Sequence, residues 1–242
     1  IIASDKTGTL TLNEQTVKKI VLPNNETYEV TGVGYNNKGE IKPVKNSKLE
    51  NIDKLVKEGL YNNEASLSYI DNSWVNFGDS MDTALLSLGY KYNLESESFK
   101  NDVLGRIPYE SDAGYSCAFY KTAETTNVSV KGTLEKILSF CTTKTDKEKI
   151  RKQNEYLAKE GYRVLAFATG TIKNFKIKDN YKENDIPKLT FLGLVAFVDP
   201  IRPDAKEAIK SCKQAGIKTV MITGDHPLTA FSVAKELELC TN

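Results

Sequence analysis

The pattern of apolar and polar positions in the first ninety residues predicts a mixture of strands and helices. Residues 1–4 are mostly apolar and predict a short buried strand that ends at Asp5. Residues 17–41 have a β-rich pattern that is interrupted by asparagine-containing turns. Helical spacing follows at residues 48–60 and 82–88. The middle of the chain continues this mixture, with a strand at residues 128–131, a charged helix at 145–160 and a strand at 163–169.

The last fifty residues alternate between strands and helices. Residues 191–198 are almost continuously apolar, as in a strand that is buried on both faces of a parallel sheet. A helix is predicted at residues 203–215, with Ala205, Ala208, Ile209 and Cys212 inward. A strand at 217–222 and a helix at 228–239 follow. This alternation predicts a doubly wound parallel sheet with right-handed connections.

These patterns predict two domains. We expect an incomplete α/β domain with a Rossmann-type parallel sheet, formed by residues 1–20 and 196–242. An α+β domain with a largely antiparallel sheet, residues 21–195, is inserted between the two parts. The chain starts directly in a strand and without Met, so we expect it to be a piece of a longer protein.

Composition excludes several classes of function. The 33 Lys and Arg residues balance 32 Asp and Glu residues, and no basic stripe is present, so we expect no nucleic-acid partner. The four cysteines form no Cys-x-x-Cys pair and there is one histidine, which disfavours zinc sites and fits a reducing compartment. No apolar run approaches the roughly 18–20 residues needed to span a bilayer.

Candidate chemistry begins at the end of the first strand. Asp5 offers a carboxylate nucleophile there, Lys6 offers a positive charge, and Gly8 lets the backbone turn closely. Phosphoryl transfer requires a nucleophile, a metal ion and stabilisation of the charge on the transferred group. The structural alternative is that Asp5 only caps a polar turn.

The segment at residues 5–11, Asp-Lys-Thr-Gly-Thr-Leu-Thr, resembles the phosphorylation motif of P-type ATPases, a branch of the haloacid dehalogenase-like superfamily. The resemblance implies that Asp5 forms an acyl-phosphate and that Mg²⁺ is held by this carboxylate and the backbone carbonyl of Thr7. Phosphatases of the superfamily carry an acidic residue at the position of Thr7. A threonine activates hydrolytic water poorly, so Thr7 favours an ATPase with a durable phosphoaspartate over a phosphatase.

Two later segments resemble other parts of the same family. Thr223, Gly224 and Asp225 resemble its second phosphate-contacting segment. The threonine hydroxyl, the unhindered backbone N–H of glycine and the aspartate carboxylate near the metal ion would suit that role. On its own this triplet is also an ordinary turn. The run at residues 199–203 resembles the return hinge between the nucleotide-binding and phosphorylation domains, where Arg202 is expected to make polar contacts.

The middle of the chain resembles the family's nucleotide-binding domain in four segments. The resemblance implies that Asp82 lies near the adenine, Tyr109 stacks on it, Lys131 lines the pocket and Arg163 reaches the phosphates. The full set of candidate nucleotide-binding residues is Asp79, Asp82, Tyr109, Ser111, Lys131, Gly132, Arg163 and Arg202. The structural alternatives are a core position for Tyr109, a surface position for Lys131 and a helix-end charge at Asp82.

These residues together predict the cytosolic ATP-binding and phosphorylation part of a cation-transporting P-type ATPase. The expected ligands are ATP or ADP and Mg²⁺, and the expected partners are the transmembrane and actuator domains of an integral membrane protein. The family's later Gly-Asp-Gly-x-Asn-Asp segment is not found in the chain, so we expect modest ATP binding without sustained turnover. The alternatives are a non-catalytic nucleotide-sensing module and a haloacid dehalogenase-like phosphatase.

Overall fold

The computed structural model describes residues 1–123, 125–224 and 227–240, which form twelve strands and seven α-helices. The strands are β1 (Ile2–Asp5), β2 (Thr16–Val21), β3 (Thr27–Val30), β4 (Ile41–Val44), β5 (Ser66–Ile70), β6 (Ser73–Phe77), β7 (Val103–Glu110), β8 (Tyr115–Thr122), β9 (Thr125–Gly132), β10 (Arg163–Ile172), β11 (Thr190–Val198) and β12 (Thr219–Ile222). The helices are α1 (Asp53–Tyr61), α2 (Ser80–Lys91), α3 (Glu97–Lys100), α4 (Leu134–Phe140), α5 (Lys147–Lys159), α6 (Ala205–Gln214) and α7 (Pro227–Glu236).

Eight of the strands form one antiparallel sheet in the order β4-β3-β2-β11-β10-β9-β8-β7. Two smaller sheets, β1-β12 and the hairpin β5-β6, lie outside it. The large sheet contains the strands predicted at residues 128–131 and 163–169, and α5 confirms the helix predicted at residues 145–160. The chain therefore contains an α/β domain with a large antiparallel sheet.

Helices cover both faces of the large sheet, because alternate side chains of its central strands are apolar in both directions. On β10, Phe167 joins a core with residues of α1 and α2, and the partly buried Leu165 packs against that core. Ala166 and Ala168 point the other way and join a second core with residues of α4 and α5. We call the first side the α1/α2 face.

The strand predicted at residues 191–198 is present as β11, but its predicted place in a parallel sheet is wrong. β11 lies between β2 and β10 and pairs antiparallel with both. The physical reason is that an apolar run indicates a strand buried on both faces, which occurs in parallel sheets. Helices bury both faces of this antiparallel sheet in the same way. Periodicity carries no information on the direction of the neighbouring strands.

The two ends of the chain meet in the parallel pair β1-β12, in which Asp5 lies opposite Ile222. The prediction that the first residues are buried is wrong, since Ile1 is 91% exposed and Ile2 43%. On α6, Ala205 and Ile209 are buried as predicted, whereas Ala208 is exposed.

The Rossmann-type parallel sheet and the division into domains stay predictions. The proposed boundaries, after residue 20 and before residue 196, fall inside β2 and β11, which both belong to the large sheet. Within the described residues, none of the helices combines the length and the apolar character that crossing a bilayer requires.

We predict that Gly132→Ala destabilises the chain. A Cβ at Gly132 would lie 2.3 Å from the carbonyl oxygen of Gly114 and 2.7 Å from the Cα of Tyr115. Overpacking against backbone of this kind costs about 1–3 kcal/mol. Gly59→Ala is the matched control, because a Cβ there would meet Leu85 at an ordinary 3.5 Å inside helix α1. It should be neutral or stabilising by up to about 1 kcal/mol. Urea unfolding measures both, and equal effects would show that the backbone around Gly132 accommodates a side chain.

Candidate functional site

The centre of the candidate site is a buried ion pair on the α1/α2 face. Lys131, near the end of β9, is 6% exposed, and its Nζ lies 2.6 Å from Oδ1 of Asp82 in the first turn of α2. The same ammonium group donates to the backbone carbonyl of Asn62. The other carboxylate oxygen of Asp82 accepts a hydrogen bond from the Glu64 N–H at 3.1 Å. The surface-lysine alternative for Lys131 is therefore wrong.

The N-terminus of α2 places Asp82 in this pair. The Asp79 carboxylate caps the helix by accepting hydrogen bonds from the N–H groups of Met81 at 2.8 Å and Asp82 at 3.2 Å. Gly78 precedes the cap with a φ of +110°, and a Cβ there would lie 2.8 Å from the Cα of Ala65. The structure thus gives Asp79 a capping role, and brings Asp82 to Lys131.

The C-terminal end of α1 is held against the sheet by amide side chains. The Asn62 side chain donates to the carbonyl oxygens of Ser116 at 3.0 Å and Ser129 at 3.2 Å, on β8 and β9. The Asn63 side chain donates to the carbonyl oxygen of Asp82 at 2.8 Å. These bonds fix the position of the Asn62 carbonyl that accepts from Lys131.

One helical turn earlier, α1 carries a buried carboxyl group. Glu58 is 1% exposed, and its Oε1 accepts hydrogen bonds from the hydroxyl groups of Tyr120 at 2.8 Å and Thr169 at 2.6 Å. Its Oε2 is buried and has no hydrogen-bond partner among the residues that the structure describes. Burial raises the pKa of Glu58 well above its ordinary value, because the charged form loses its hydration, while the two hydroxyl donors oppose the shift.

A β-bulge presents Tyr109 at the edge of the sheet. Pro108 and Tyr109 on β7 together face the single residue Ser116 on β8. Tyr109 is 57% exposed, so the alternative of a core aromatic is wrong. Ser111 lies exposed in the turn that follows β7. Since Ser116 also pairs with Lys131, the bulge lies on the same row of the sheet as the buried ion pair.

Arg163 lies on the same face of the sheet but further away. Phe167 of β10 pairs with Lys131, and Arg163 is four residues earlier on β10, about 13 Å along the strand. Its side chain is exposed and lines a cleft of about 810 Å³ together with Lys6, Thr7 and Gly224. The cleft therefore connects Arg163 with the loop after Asp5.

The loop after Asp5 is a tight turn closed by a threonine. The Asp5 carboxylate accepts the Lys6 N–H at 2.8 Å, and Gly8 adopts a φ of +75°. The Gly8 N–H donates to the Thr11 hydroxyl at 3.3 Å, and that hydroxyl lies 2.6 Å from the Asp199 carboxylate, to which it donates. The Gly8 N–H is thus bonded within the loop to Thr11.

The predicted return hinge packs directly on this loop. The Arg202 guanidinium donates to the Gly8 carbonyl oxygen at 3.2 Å, and the Arg202 N–H donates to that of Leu10 at 2.9 Å. Arg202 thus lies with the phosphorylation candidates and holds the Asp5 loop. Across the β1-β12 pair, Thr223 and Gly224 follow Ile222, the residue opposite Asp5. Asp225 lies outside the described residues.

The oxygen atoms near Asp5 suit Mg²⁺. The Asp5 side chain is exposed, and one of its two carboxylate oxygens accepts the Lys6 N–H. The expected metal ligands are this carboxylate and the backbone carbonyl of Thr7. Mg²⁺ prefers one or two protein oxygens and keeps several waters or phosphate oxygens. The described residues contain no group of three or more His, Cys, Asp or Glu side chains that would form an all-protein metal site.

Comparison with known proteins identifies the family of the chain. A family model described as "P-type ATPase, cytoplasmic domain N" matches residues 51–204. The chain belongs to this family. The match spans the candidate residues Asp82, Tyr109, Lys131 and Arg163.

Named relatives agree with this assignment along nearly the whole chain. The chain is 34% identical to calcium-transporting ATPase 1 of Bacillus cereus over 98% of its length, and 32% identical to the cation-transporting ATPase pma1 of Synechocystis over 98%. It is 29% identical to the human calcium-transporting ATPase type 2C member 2 over 99% of its length. The chain covers 28%, 26% and 26% of Synechocystis pma1, the Bacillus cereus protein and the human protein, so it spans about a quarter of the length of these relatives.

Three residues of the site were missed by reasoning from the sequence alone. Glu58, Asn62 and Arg106 belong to no motif, and their hydrogen bonds join α1 to the sheet only when the two pack together. The available signal was the polar run at residues 62–64 directly after the predicted helix. Buried polar side chains next to an apolar helix face require partners, which the sheet supplies.

We predict that Glu58→Gln flattens the pH dependence of stability. The folded chain binds the Glu58 proton more tightly than the unfolded chain, because burial raises the pKa above the ordinary 4.5. The free energy of unfolding of the wild type should therefore fall as the pH rises above the ordinary pKa of 4.5. A glutamine retains a side-chain oxygen that accepts the hydrogen bonds from Tyr120 and Thr169, but it does not titrate.

Urea unfolding at several pH values measures this effect. The matched control is Glu64→Gln at an exposed glutamate, which should keep the wild-type slope. A Glu58→Gln variant with the same pH slope as the wild type would show that Glu58 does not stay protonated in the folded chain.

Proposed function

We propose that the chain binds ATP on its α1/α2 face and that Asp5 accepts the γ-phosphoryl group, as the ATP-handling part of a cation-transporting P-type ATPase. The observation that carries this proposal is the buried Asp82–Lys131 pair on the same sheet row as the exposed ring of Tyr109. A π-face, a cation and a carboxylate acceptor are the groups that an adenine nucleotide requires.

Each residue then has a defined task in nucleotide binding. The ring of Tyr109 stacks on the adenine, the Asp82 carboxylate accepts from its amino group, and Lys131 supplies positive charge. Gly132 admits the close backbone contact at the end of β9, and Ser111 borders the pocket beyond the bulge. Asp79 contributes through its cap, which sets the position of Asp82.

Arg163 faces the cleft that leads to the Asp5 loop, so we propose that it binds the phosphate chain. In the transfer step, an Asp5 carboxylate oxygen forms a bond to the γ-phosphorus while the bond to the β,γ-bridging oxygen breaks. The electron pair of that bond leaves with ADP. Lys6, Thr223, Gly224 and Asp225 stabilise the transferred group, and Arg202 holds the loop from which Asp5 attacks.

Mg²⁺ bound at the Asp5 carboxylate and the Thr7 carbonyl would supply further charge neutralisation. Thr7 offers no carboxylate to activate water, so the phosphoaspartate persists. This property favours a transport cycle over a haloacid dehalogenase-like phosphatase. A nucleotide-sensing module would not require the Asp5 segment, which is intact.

The organisation of the longer protein belongs to the same proposal. We propose a phosphorylation domain formed by both ends of the chain around β1 and β12, and a nucleotide-binding domain built on the large sheet. Since β2 and β11 are strands of that sheet, the junctions are better placed near residues 15 and 199. The partners are transmembrane and actuator domains of the parent ATPase, and this part lies on the cytosolic side.

We predict that Tyr109→Ala weakens ATP binding by about 5- to 150-fold, because stacking of a base on an aromatic ring contributes about 1–3 kcal/mol. Tyr69→Ala is the matched control, since Tyr69 is equally exposed at 59% but lies on the hairpin β5-β6. Lys131→Met should also weaken binding, through loss of the charge beside the pocket. Isothermal titration calorimetry measures all three variants. Absence of ATP binding by the wild type, or an equal loss in Tyr69→Ala, would refute the proposed site.

We predict that Asp5→Asn abolishes phosphorylation of the full-length ATPase by radiolabelled ATP, since the amide is not a nucleophile. The label on the wild type should be released by hydroxylamine, as expected for an acyl-phosphate. Asp204→Asn is the control, because Asp204 is exposed and makes no capping bond with its side chain. Label retained in Asp5→Asn would assign the phosphate to another residue.

A further inference from the structure

We infer that Ser232 on α7 is a positioning residue for phosphoryl transfer, because the turn between α5 and β10 rests on α7 at Ser232 and this contact sets the width of the cleft that the triphosphate spans. The inference rests on the proposed function and adds a residue that belongs to none of the candidate motifs. It follows from the close approach of Gly161 to Ser232 and from the segments that lie on each side of this contact.

The backbone of Gly161 lies too close to α7 to leave room for a side chain. A Cβ at Gly161 would lie 3.0 Å from the Cβ of Ser232 and 3.2 Å from its Oγ. It would lie 3.8 Å from the Cα of Thr229, one helical turn earlier on α7. Heavy atoms within about 4.0–4.5 Å are in contact, so the turn rests directly on the helix. A larger side chain on either side of the contact would push the two apart.

The conformation of Gly161 has a separate local cause. Gly161 ends α5 with a φ of +87°, its N–H donates to the carbonyl oxygen of Ala158 at 3.0 Å, and the Tyr162 N–H donates to that of Leu157 at 3.2 Å. A helix end of this kind uses glycine or asparagine. Such a cap requires no second helix beside it, so the approach of α7 is an additional feature of this chain.

One side of the contact leads to Arg163. Arg163 follows Gly161 by two residues and is the first residue of β10. It pairs with Phe197 of β11, so this end of β10 is held in the large sheet. A shift of α7 against the turn therefore changes the distance from Arg163 to everything attached to α7.

The other side of the contact leads to the loop after Asp5. Residues 223–226 join α7 to β12, in which Ile222 lies opposite Asp5. Leu237, directly after α7, is buried in one core with Leu10 of the Asp5 loop. Both ends of α7 are thus tied to the segment that carries Asp5.

Both sides of the contact line the cleft of about 810 Å³. Gly161 and Arg163 line it from the large sheet, and Ser232 and Glu236 line it from α7. Burial lowers the pKa of Lys18, which lines the cleft from β2, and the charge of Glu236 acts in the opposite direction. Opposite charges on the two walls favour a narrow cleft, and the contact of Gly161 with Ser232 limits how far it narrows.

Phosphoryl transfer is sensitive to this width. The triphosphate must reach from Arg163 to Asp5, and the reacting atoms must come within about 3–3.5 Å in the correct alignment. A displacement of about 1 Å caused far from the chemistry can slow a reaction about 100-fold. Ser232 therefore affects the rate of transfer without touching the substrate.

Labelling of the full-length ATPase by two phosphoryl donors tests the inference. In a helix, the side chain of a leucine at position 232 points back over the preceding turn, where Thr229 lies, so Ser232→Leu inserts atoms into the contact. It should slow labelling by saturating radiolabelled ATP about 100-fold. Lys235→Leu is the matched control, because Lys235 is exposed on α7 and does not line the cleft. It should leave the rate unchanged.

Acetyl phosphate is the second donor and has no nucleotide to bridge the cleft. An Asp5 carboxylate oxygen forms a bond to its phosphorus, the bond from phosphorus to the acetyl oxygen breaks, and acetate leaves with the electron pair. Labelling of Ser232→Leu by acetyl phosphate should therefore proceed at the wild-type rate. Calorimetric titration of the 242-residue chain should also give Ser232→Leu the ATP affinity of the wild type, since the α1/α2 face is unchanged.

Gly161→Asn approaches the same contact from the other side. Asparagine tolerates the left-handed φ of the helix end and places a side chain against Ser232. It should show the same difference between ATP and acetyl phosphate, and it decides by that comparison if Ser232→Leu does not fold.

The possible results separate the two proposals. Unchanged labelling by ATP in both variants would overturn the inference, as would an equal loss with ATP and acetyl phosphate, which would indicate damage to the Asp5 loop. If acetyl phosphate does not label the wild type, loss of ATP labelling with retained ATP affinity supports the inference, and loss of both overturns it. A wild type that ATP labels loses only the inference by these results, whereas a wild type that ATP does not label loses the proposed function as well.

Discussion

The buried ammonium group of Lys131 is the constraint on which the site depends. It is held between the Asp82 carboxylate and the Asn62 carbonyl, so three elements, β9, the start of α2 and the end of α1, must meet at one point. Burying two charges is expensive, and the pair is tolerated only with good geometry and further hydrogen bonds. The Glu64 N–H and the cap formed by Asp79 supply those bonds. The geometry of the site is therefore specified by the cost of leaving either charge unpaired.

A polar layer between α1 and the sheet extends this constraint. Glu58 and Asn62 lie one helical turn apart and bond to side chains or carbonyls on β8, β9 and β10. On either side of the layer the same face is apolar, with Phe167 and Leu55 in its core. Such a layer sets the register of the helix on the sheet more strictly than apolar packing alone. It also explains why polar side chains lie between α1 and the sheet, where the surrounding side chains are hydrophobic.

Local features of the fold were predictable, and pairings across the chain were not. The helix at residues 147–159 followed from its apolar spacing and from Gly161, which adopts a φ of +87° after the helix. The partners of β11 did not follow, because an apolar run indicates burial and says nothing of strand direction. The exposure of Tyr109 did not follow from the sequence either, because it depends on the bulge opposite Ser116. Asp79 and Gly8 matched motifs, yet their capping and turn bonds depend on neighbours in three dimensions.

The sequence by itself determined the family resemblance and the candidate chemistry, because a nucleophile, a turn and their spacing in residues 5–11 are local properties. The tertiary structure alone decided which charges meet. Lys131 and Asp82 are far apart along the chain, and Arg106 belongs to no motif, yet all three lie at the end of α1. The physical reason is that hydrogen bonding and desolvation depend on distance in space, so the pairing of a buried charge is settled only when helix and sheet pack together.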